Sequence, residues 1–155
     1  MSKPSKLDPK TITPRTSTVY PPEFAEAVKG REKRALGDFF GLTQYGVNLT
    51  TLAPGSASAL RHWHAREDEF VFVVSGEITL IDDFGEHVLA PGMCAGFKAG
   101  VANGHCLVNK SAAPASYVEI GTRASEESAE YPDVDLKAEK RAGKWSYMKK
   151  DGTPY

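Results

Sequence analysis

The fold turns on the stretch Arg61-His62-Trp63-His64-Ala65-Arg66-Glu67-Asp68-Glu69-Phe70-Val71-Phe72-Val73-Val74-Ser75-Gly76. Its second half is β-branched and aromatic, too short for a helix and closed by the turn pair Ser75-Gly76, which makes it a strand. In an extended first half His62 and His64 face one side and Trp63 the other. The polar residues 65–68 have turn chemistry, and a hairpin of that length brings the Glu69 carboxylate back beside the two imidazoles. The run at 70–74 is apolar on both faces. One face is expected to meet a barrel interior and the other to be covered by the N-terminal arm, the tail or a second subunit, with a homodimer the simplest cover.

On either side of this hairpin, short runs rich in β-branched and aromatic residues alternate with glycine-containing turns every eight to twelve residues or so. The spacing predicts strands over 41–52, 59–63, 69–74, 77–81, 86–90, 93–97, 105–109 and 115–120, an antiparallel all-β domain closing as a sandwich or jelly roll. The first twenty residues hold Pro4, Pro9 and Pro14 and run into Tyr20-Pro21-Pro22. Proline lacks a donor, so this arm can lie across a surface or pair at an edge but cannot be a central strand. Phe24, Ala25, Ala27 and Val28 allow a short helix ending at Gly30, and the basic stretch 31–34 reads as a solvated loop. The tail ends in Trp145, Tyr147 and Tyr155, aromatics expected to dock on the barrel. The organisation is therefore read as an arm (1–38), a barrel (39–122) and a C-terminal extension (123–155).

The chain has 155 residues, with 19 Lys and Arg against 20 Asp and Glu for a net charge of −1. That balance argues against a nucleic-acid binder, which carries a basic excess on one face. The longest apolar run is far shorter than the roughly 20 residues a membrane helix needs, and Met1-Ser2-Lys3-Pro4 opens no signal-like segment, so a cytoplasmic protein is expected. Cys94 and Cys106 do not make a disulfide framework and are expected to be free thiols packing as small apolar side chains.

The histidines carry the chemistry. A lone His-x-His is commonly a hydrogen-bonded pair, but here Gly55, Glu69, Gly76 and a further imidazole keep it company. Two histidines and a carboxylate on a rigid sheet form a facial set of ligands for a first-row divalent ion, and His105, opening another strand, could complete the set from across the barrel. His87 lies beside a turn and is expected to be exposed. Proton carriers by proximity in sequence are Glu67, Asp68, Tyr45, Asn48 and Arg61. Each has a bland role open to it: turn capping for the two acids, packing for Tyr45, a backbone hydrogen bond for Asn48 and an ion pair for Arg61.

The pattern Gly55, His62-x-His64, four residues, Glu69, six residues, Gly76 resembles the first motif of the cupin superfamily. The second motif is looser. Gly85 is followed after five residues by Pro91-Gly92, but the turn nearest the histidine is Lys98-Ala99-Gly100, and His105 comes two residues late while keeping its three-residue spacing to Asn109. Asn103 stands where the shorter form of the motif puts its histidine and is the alternative to His105. Gly41 to Leu49, Cys94-Ala95-Gly96-Phe97, Asn103-Gly104-His105 and the closing Asp151-Gly152-Thr153-Pro154-Tyr155 are similar to small bacterial single-domain cupins, sometimes called sugar-phosphate isomerases. The resemblance implies a double-stranded β-helix (jelly-roll barrel) and His62, His64, Glu69 and His105 holding one divalent ion (Zn, Mn, Fe or Ni). It further implies a metal-dependent, isomerase-like enzyme acting on a sugar, sugar phosphate or hydroxy/keto acid. A non-catalytic binding or sensing module, a dioxygenase and a decarboxylase are the alternatives. The position after His105 is Cys106, expected to face away from the site and pack.

Overall fold

The computed structural model describes residues 5–155, so Pro4, the first proline of the arm, lies outside the described residues. Twelve strands are described: β1 (Arg31–Ala35), β2 (Tyr45–Leu52), β3 (Trp63–His64), β4 (Glu69–Ser75), β5 (Ile78–Asp82), β6 (Gly85–Leu89), β7 (Cys94–Phe97), β8 (Cys106–Val108), β9 (Ala115–Thr122), β10 (Glu127–Tyr131), β11 (Leu136–Arg141) and β12 (Lys144–Met148). They pair antiparallel in three sheets ordered β1-β2-β9-β4-β7, β12-β11-β10-β3 and β6-β5-β8. The last two are stitched together by an isolated bridge between His62 and His105. The chain is an all-β jelly roll.

The period-two pattern of β4 shows what packs the barrel. Val71 and Val73 are buried with Leu52, Ile78, Leu80, Leu89, Leu107, Ala115 and Tyr117, while Phe70, Phe72 and Val74 remain 40–49% exposed. Glu69 shares the inward face of the two valines, so its carboxylate points into the barrel because the strand period requires it. Among the described residues, this outward face keeps that exposure with the arm and the tail in place.

Arm and tail meet each other elsewhere. Tyr20 packs edge-on against Tyr131 and Tyr147 at 6.0 and 5.6 Å, and with Phe24, Leu60 and Val134 these rings cover a second core of Ala129, Tyr131, Leu136 and Ala138. The tail therefore docks, and it does so as three full strands added to β3, a result the aromatic count alone did not anticipate. The arm pairs at an edge as expected, through a two-bond bridge between Arg15 and Lys33. The expected helix is present in tighter form, a 3-10 helix over Pro22–Val28 with proline in its first turn. The stretch 31–34 is not a loop. It lies in β1, paired along its full length with β2 from Arg31↔Leu52 to Ala35↔Asn48, and its charged side chains are half-buried because they find partners: Lys33 with Glu119, Arg31 with the Ser58 carbonyl and Arg34 with the Ile12 carbonyl. Leu36–Phe40 adds a single helical turn ended by Gly41 at φ 73°.

Gly76 closes the β4–β5 turn at φ 74°, and a Cβ there would sit 2.7 Å from the Cα and Cβ of Ala115 and the carbonyl of Pro114. Backbone strain and steric overlap both oppose a side chain. Gly76→Ala is expected to lose about 2–4 kcal/mol of stability, read as a lower urea midpoint at unchanged slope.

Candidate functional site

The bridge between His62 and His105 is made by two backbone hydrogen bonds, His62 N–H to the His105 carbonyl (3.1 Å) and His105 N–H to the His62 carbonyl (2.8 Å). Residues paired in this way present their side chains on the same face, and the two imidazole centroids lie 5.2 Å apart. His64, two residues along, shares that face, and its Nε2 is 3.1 Å from the Nε2 of His62. From the facing sheet Glu69 reaches across, with Oε2 2.8 Å from His105 Nε2 and Oε1 3.6 Å from His64 Nε2. Donor atoms of His62, Glu69 and His105 all lie within 4.8 Å of one another. Ligands bound at about 2.0–2.2 Å around one ion are separated by comparable distances, so this set has the chemistry and the spacing to hold a divalent cation. The Nδ1 atoms of His64 and His105 are buried without a partner, as fits rings whose polar interactions are made at the other nitrogen.

The imidazoles are held from behind. His62 donates from Nδ1 to the Leu60 carbonyl (2.7 Å), which leaves its Nε2 lone pair facing the cluster, and its ring stacks on Tyr131 at 5.5 Å. His105 stacks on Phe97, centroid to centroid 3.5 Å with planes 2° apart. A cavity of about 230 Å³ opens over the cluster, lined by His64, Glu69 and His105 with Glu67, Lys98 and Asn103 at its polar positions.

The other expected residues fall outside the cluster. The amide of Asn103 is spent on the β5–β6 turn, accepting from Asp83 N–H at 2.8 Å and donating to Asp82 at 3.3 Å. Arg61 points away from the histidines, paired with both oxygens of Asp133 (2.8 and 2.7 Å) and with Asp83, and these acids raise its pKa further. Asn48 donates to Glu119 (3.0 Å) and Asp68 accepts from Ala99 N–H (2.8 Å). Tyr45 is 43% exposed, at the far end of β2 opposite Thr122. Glu67 alone among these candidates stands beside the cluster, accepting from Ala124 N–H (3.0 Å) and ion-paired to Lys140. His87 is exposed and bound to Asp82 at 3.1 Å. Cys106 is buried and Cys94 exposed, both free thiols; burial pushes the Cys106 thiol up to about 11.

Several residues at the site were not anticipated from sequence. Glu127 is fully buried, Tyr131 and Trp145 contact His62 and His64, and Lys140 pairs with Glu67. All lie in the tail. The usable signal was the alternation of Glu127, Ala129 and Tyr131, then Leu136 and Ala138, which is a half-buried hairpin once read with period two.

Burial, which disfavours the imidazolium, lowers His62 from 6.5 to about 4 against the pull of Glu69. In Glu69 burial acts to raise the carboxyl, but the hydrogen bond from His105 and the charges of the three imidazoles outweigh it and take it from 4.5 to about 2.

The Cupin domain family profile matches residues 48–121. A sugar phosphate isomerase of the cupin superfamily from Silicibacter pomeroyi is 46% identical, with 97% of this chain and 96% of that one covered and a TM-score of 0.93. A proposed sugar phosphate isomerase from Acidithiobacillus ferrooxidans is 29% identical over 81% of this chain and 80% of that one, at a TM-score of 0.73. A polyketide cyclase from Streptomyces resistomycificus, 15% identical over 76% and 78% with a TM-score of 0.63, is alike in fold alone. No curated protein matches the chain.

The two shifts set a pH dependence. Between pH 6.5 and 4 the unfolded chain binds a proton at His62 that the folded chain refuses, and between 4.5 and 2 it binds one at Glu69 that the folded chain refuses. Both contributions are complete above pH 6.5 and are lost as the pH falls. The melting temperature of chelator-treated protein, followed by circular dichroism, is expected to decline steadily below pH 6.5, and His62→Gln to flatten the segment between 6.5 and 4.

Proposed function

This chain belongs to the cupin superfamily, and on that footing we propose that it is a metal-dependent enzyme of the sugar-phosphate isomerase type, its ion held by His62, His64, Glu69 and His105. The observation that carries the reading is the convergence of three imidazoles and one carboxylate, brought together from different sheets, beneath a cavity of mixed polar and apolar lining. The 46% identity to the Silicibacter pomeroyi isomerase supports the substrate class. An ion bound there supplies Lewis-acid polarisation of a substrate carbonyl or hydroxyl oxygen.

The remaining roles follow from the cavity wall. Its volume of about 230 Å³ leaves room for the reacting end of a small polar compound. Glu67, ion-paired to Lys140 at the cavity wall, is the group placed to move a proton on and off a substrate carbon or oxygen. Lys98 stands on the rim with no carboxylate paired to it among the described residues, where its ammonium can meet a phosphate group. Phe97 and Val101 supply apolar wall. Selectivity among manganese, iron, nickel and zinc is not built into such a donor set, because affinity follows the general metal order and cells select by availability.

Two copies joined through the outward face of β4 and β9 make the working unit in this reading. Phe70, Phe72, Val74 and Ile120 stand 37–49% exposed on one sheet face, with Phe70 directly opposite Ile120 and Phe72 opposite Val118. A contiguous apolar face of this kind is stabilised by burial against a copy of itself. Phe72→Glu is expected to convert a dimer into a monomer by light scattering on a sizing column, while a wild type that elutes as a monomer refutes this assembly.

For the metal and the reaction, purified protein is expected to take up one equivalent of manganese or zinc, and the loaded protein to interconvert aldose and ketose phosphates, followed by proton NMR. His62→Ala with His64→Ala is expected to lose uptake and at least about a hundredfold in turnover while keeping the far-ultraviolet spectrum of a β protein. Uptake with no turnover on any sugar phosphate would leave a metal site without the proposed reaction.

A further inference from the structure

We propose that Glu127, in the tail strand β10, is the positioning residue for His64, its Oε2 accepting the Nδ1 proton that this ring carries whenever Nε2 serves as a ligand. The inference rests on the metal reading above and concerns a residue outside the stretch matched by the family profile.

Proton positions in the cluster follow from its hydrogen bonds. The Leu60 carbonyl can only accept, so the His62 ring carries its proton on Nδ1 and presents a bare Nε2. The 3.1 Å contact between the two Nε2 atoms is then a hydrogen bond only with the proton on His64. That leaves His64 Nδ1 bare, and it is indeed buried without a partner, 4.0 Å from Glu127 Oε2. Once Nε2 donates its lone pair to a cation, the single ring proton must sit on Nδ1, at a buried atom that needs an acceptor. Glu127 offers one. Its side chain is fully buried; Oε1 takes the Arg66 N–H (2.9 Å) and the Ser128 N–H (2.7 Å), whereas Oε2 takes only the longer 3.1 Å contact from the shared Arg66 N–H. Oε2 therefore keeps a lone pair, and it is the oxygen that faces the ring.

The strand register explains why this acid is here. Ala129 pairs with His64, so Glu127 and Tyr131, two residues to either side, share its face; Glu127 meets His64 and Tyr131 stacks on His62. One tail strand thus braces both members of the His-x-His pair. His64, Glu67 and Glu127 also bring ligand atoms within 4.8 Å of one another, but the Lys140 ammonium is already paired with Glu67, which leaves Glu127 as the free acceptor behind the ring. A carboxylate behind a ligating imidazole fixes its tautomer and orientation, and loss of such a partner lowers metal affinity roughly 10–100-fold.

The test uses full-length protein with zinc as the probe. Histidine-labelled wild type, observed by nitrogen-15 NMR, is expected to move the His64 proton from Nε2 to Nδ1 on adding one equivalent of zinc, with an Nδ1–H resonance that exchanges slowly with water. In Glu127→Gln the amide oxygen can keep the backbone donors and turn the NH2 group towards Nδ1. Zinc affinity by competition with a chromophoric chelator is expected to fall about 10–100-fold, with the melting temperature of the metal-free protein nearly unchanged. A wild type that binds zinc with His64 Nδ1 unprotonated or rapidly exchanging overturns the proposal and leaves the metal reading intact, and this measurement stands even if the variant does not fold. Equal zinc affinity in wild type and variant overturns it in the same way. A wild type that takes up no zinc overturns both.

Discussion

Two backbone hydrogen bonds between His62 and His105 hold the two halves of one barrel wall together. Neither residue lies in a long strand; β3 has two residues and β8 three. The pairing nevertheless joins the β6-β5-β8 sheet to the β3-β10-β11-β12 sheet and turns both imidazoles to the same side. Structure and chemistry share this contact. A slip of one residue would put Arg61 or Trp63 where the histidines stand and swing His105 out for Cys106, since successive residues in a strand face opposite ways. The facing sheet is bound by the same rule through β4, whose buried Val71 and Val73 fix the inward direction of Glu69.

The arm and the tail complete what the barrel leaves open. β3 has a free edge on the side away from β8, and β10 takes it. A short strand bearing two imidazoles would otherwise be weakly ordered, with few neighbours to hold its side chains. With β10 in place, Tyr131 stacks on His62 at an interplanar angle of 29° and the buried Glu127 carboxylate is tied to the backbone at Arg66 and Ser128. Asp133, just past β10, locks Arg61 on the outer face of the same segment, and Pro132 fits so closely over Gly104 that a Cβ there would come within 2.9 Å of its ring. Tyr20 of the arm closes the layer from outside. Rigidity behind the histidine cluster is what the proposed metal centre would need, because affinity and geometry depend on holding donor atoms within a fraction of an ångström.

The eight barrel strands were legible because each is short, alternates and ends in turn residues, and the structure places them within a few residues of the expected bounds, apart from 59–63, which pairs as β3 at Trp63–His64 and through His62. The tail was not legible in the same way. Its charged residues at 137, 139 and 140 mask a two-residue period in which only Glu127, Ala129, Tyr131, Leu136 and Ala138 are buried, and a buried glutamate reads as a solvent-facing one until its backbone donors are known. The edge strand at 31–35 was hidden for the opposite reason: four charged residues in five suggest water, yet edge pairing needs only the backbone.

Read alone, the sequence determined that this is an antiparallel β domain and that His62 and His64 share a face, since both depend on a local period of two. The hairpin expected to return Glu69 does not form, because β3 pairs with β10 and residues 65–68 carry the chain over to the facing sheet, where β4 pairs with β7 and β9. Tertiary structure alone decided that His105 meets them while the amide of Asn103 is spent on a turn, that Arg61 is locked in an external ion pair, and that Glu127 and Tyr131 stand behind the ring pair. Those outcomes depend on which strands become neighbours. Neighbours are chosen by burial of the whole apolar set, a property of the folded chain that no local window contains.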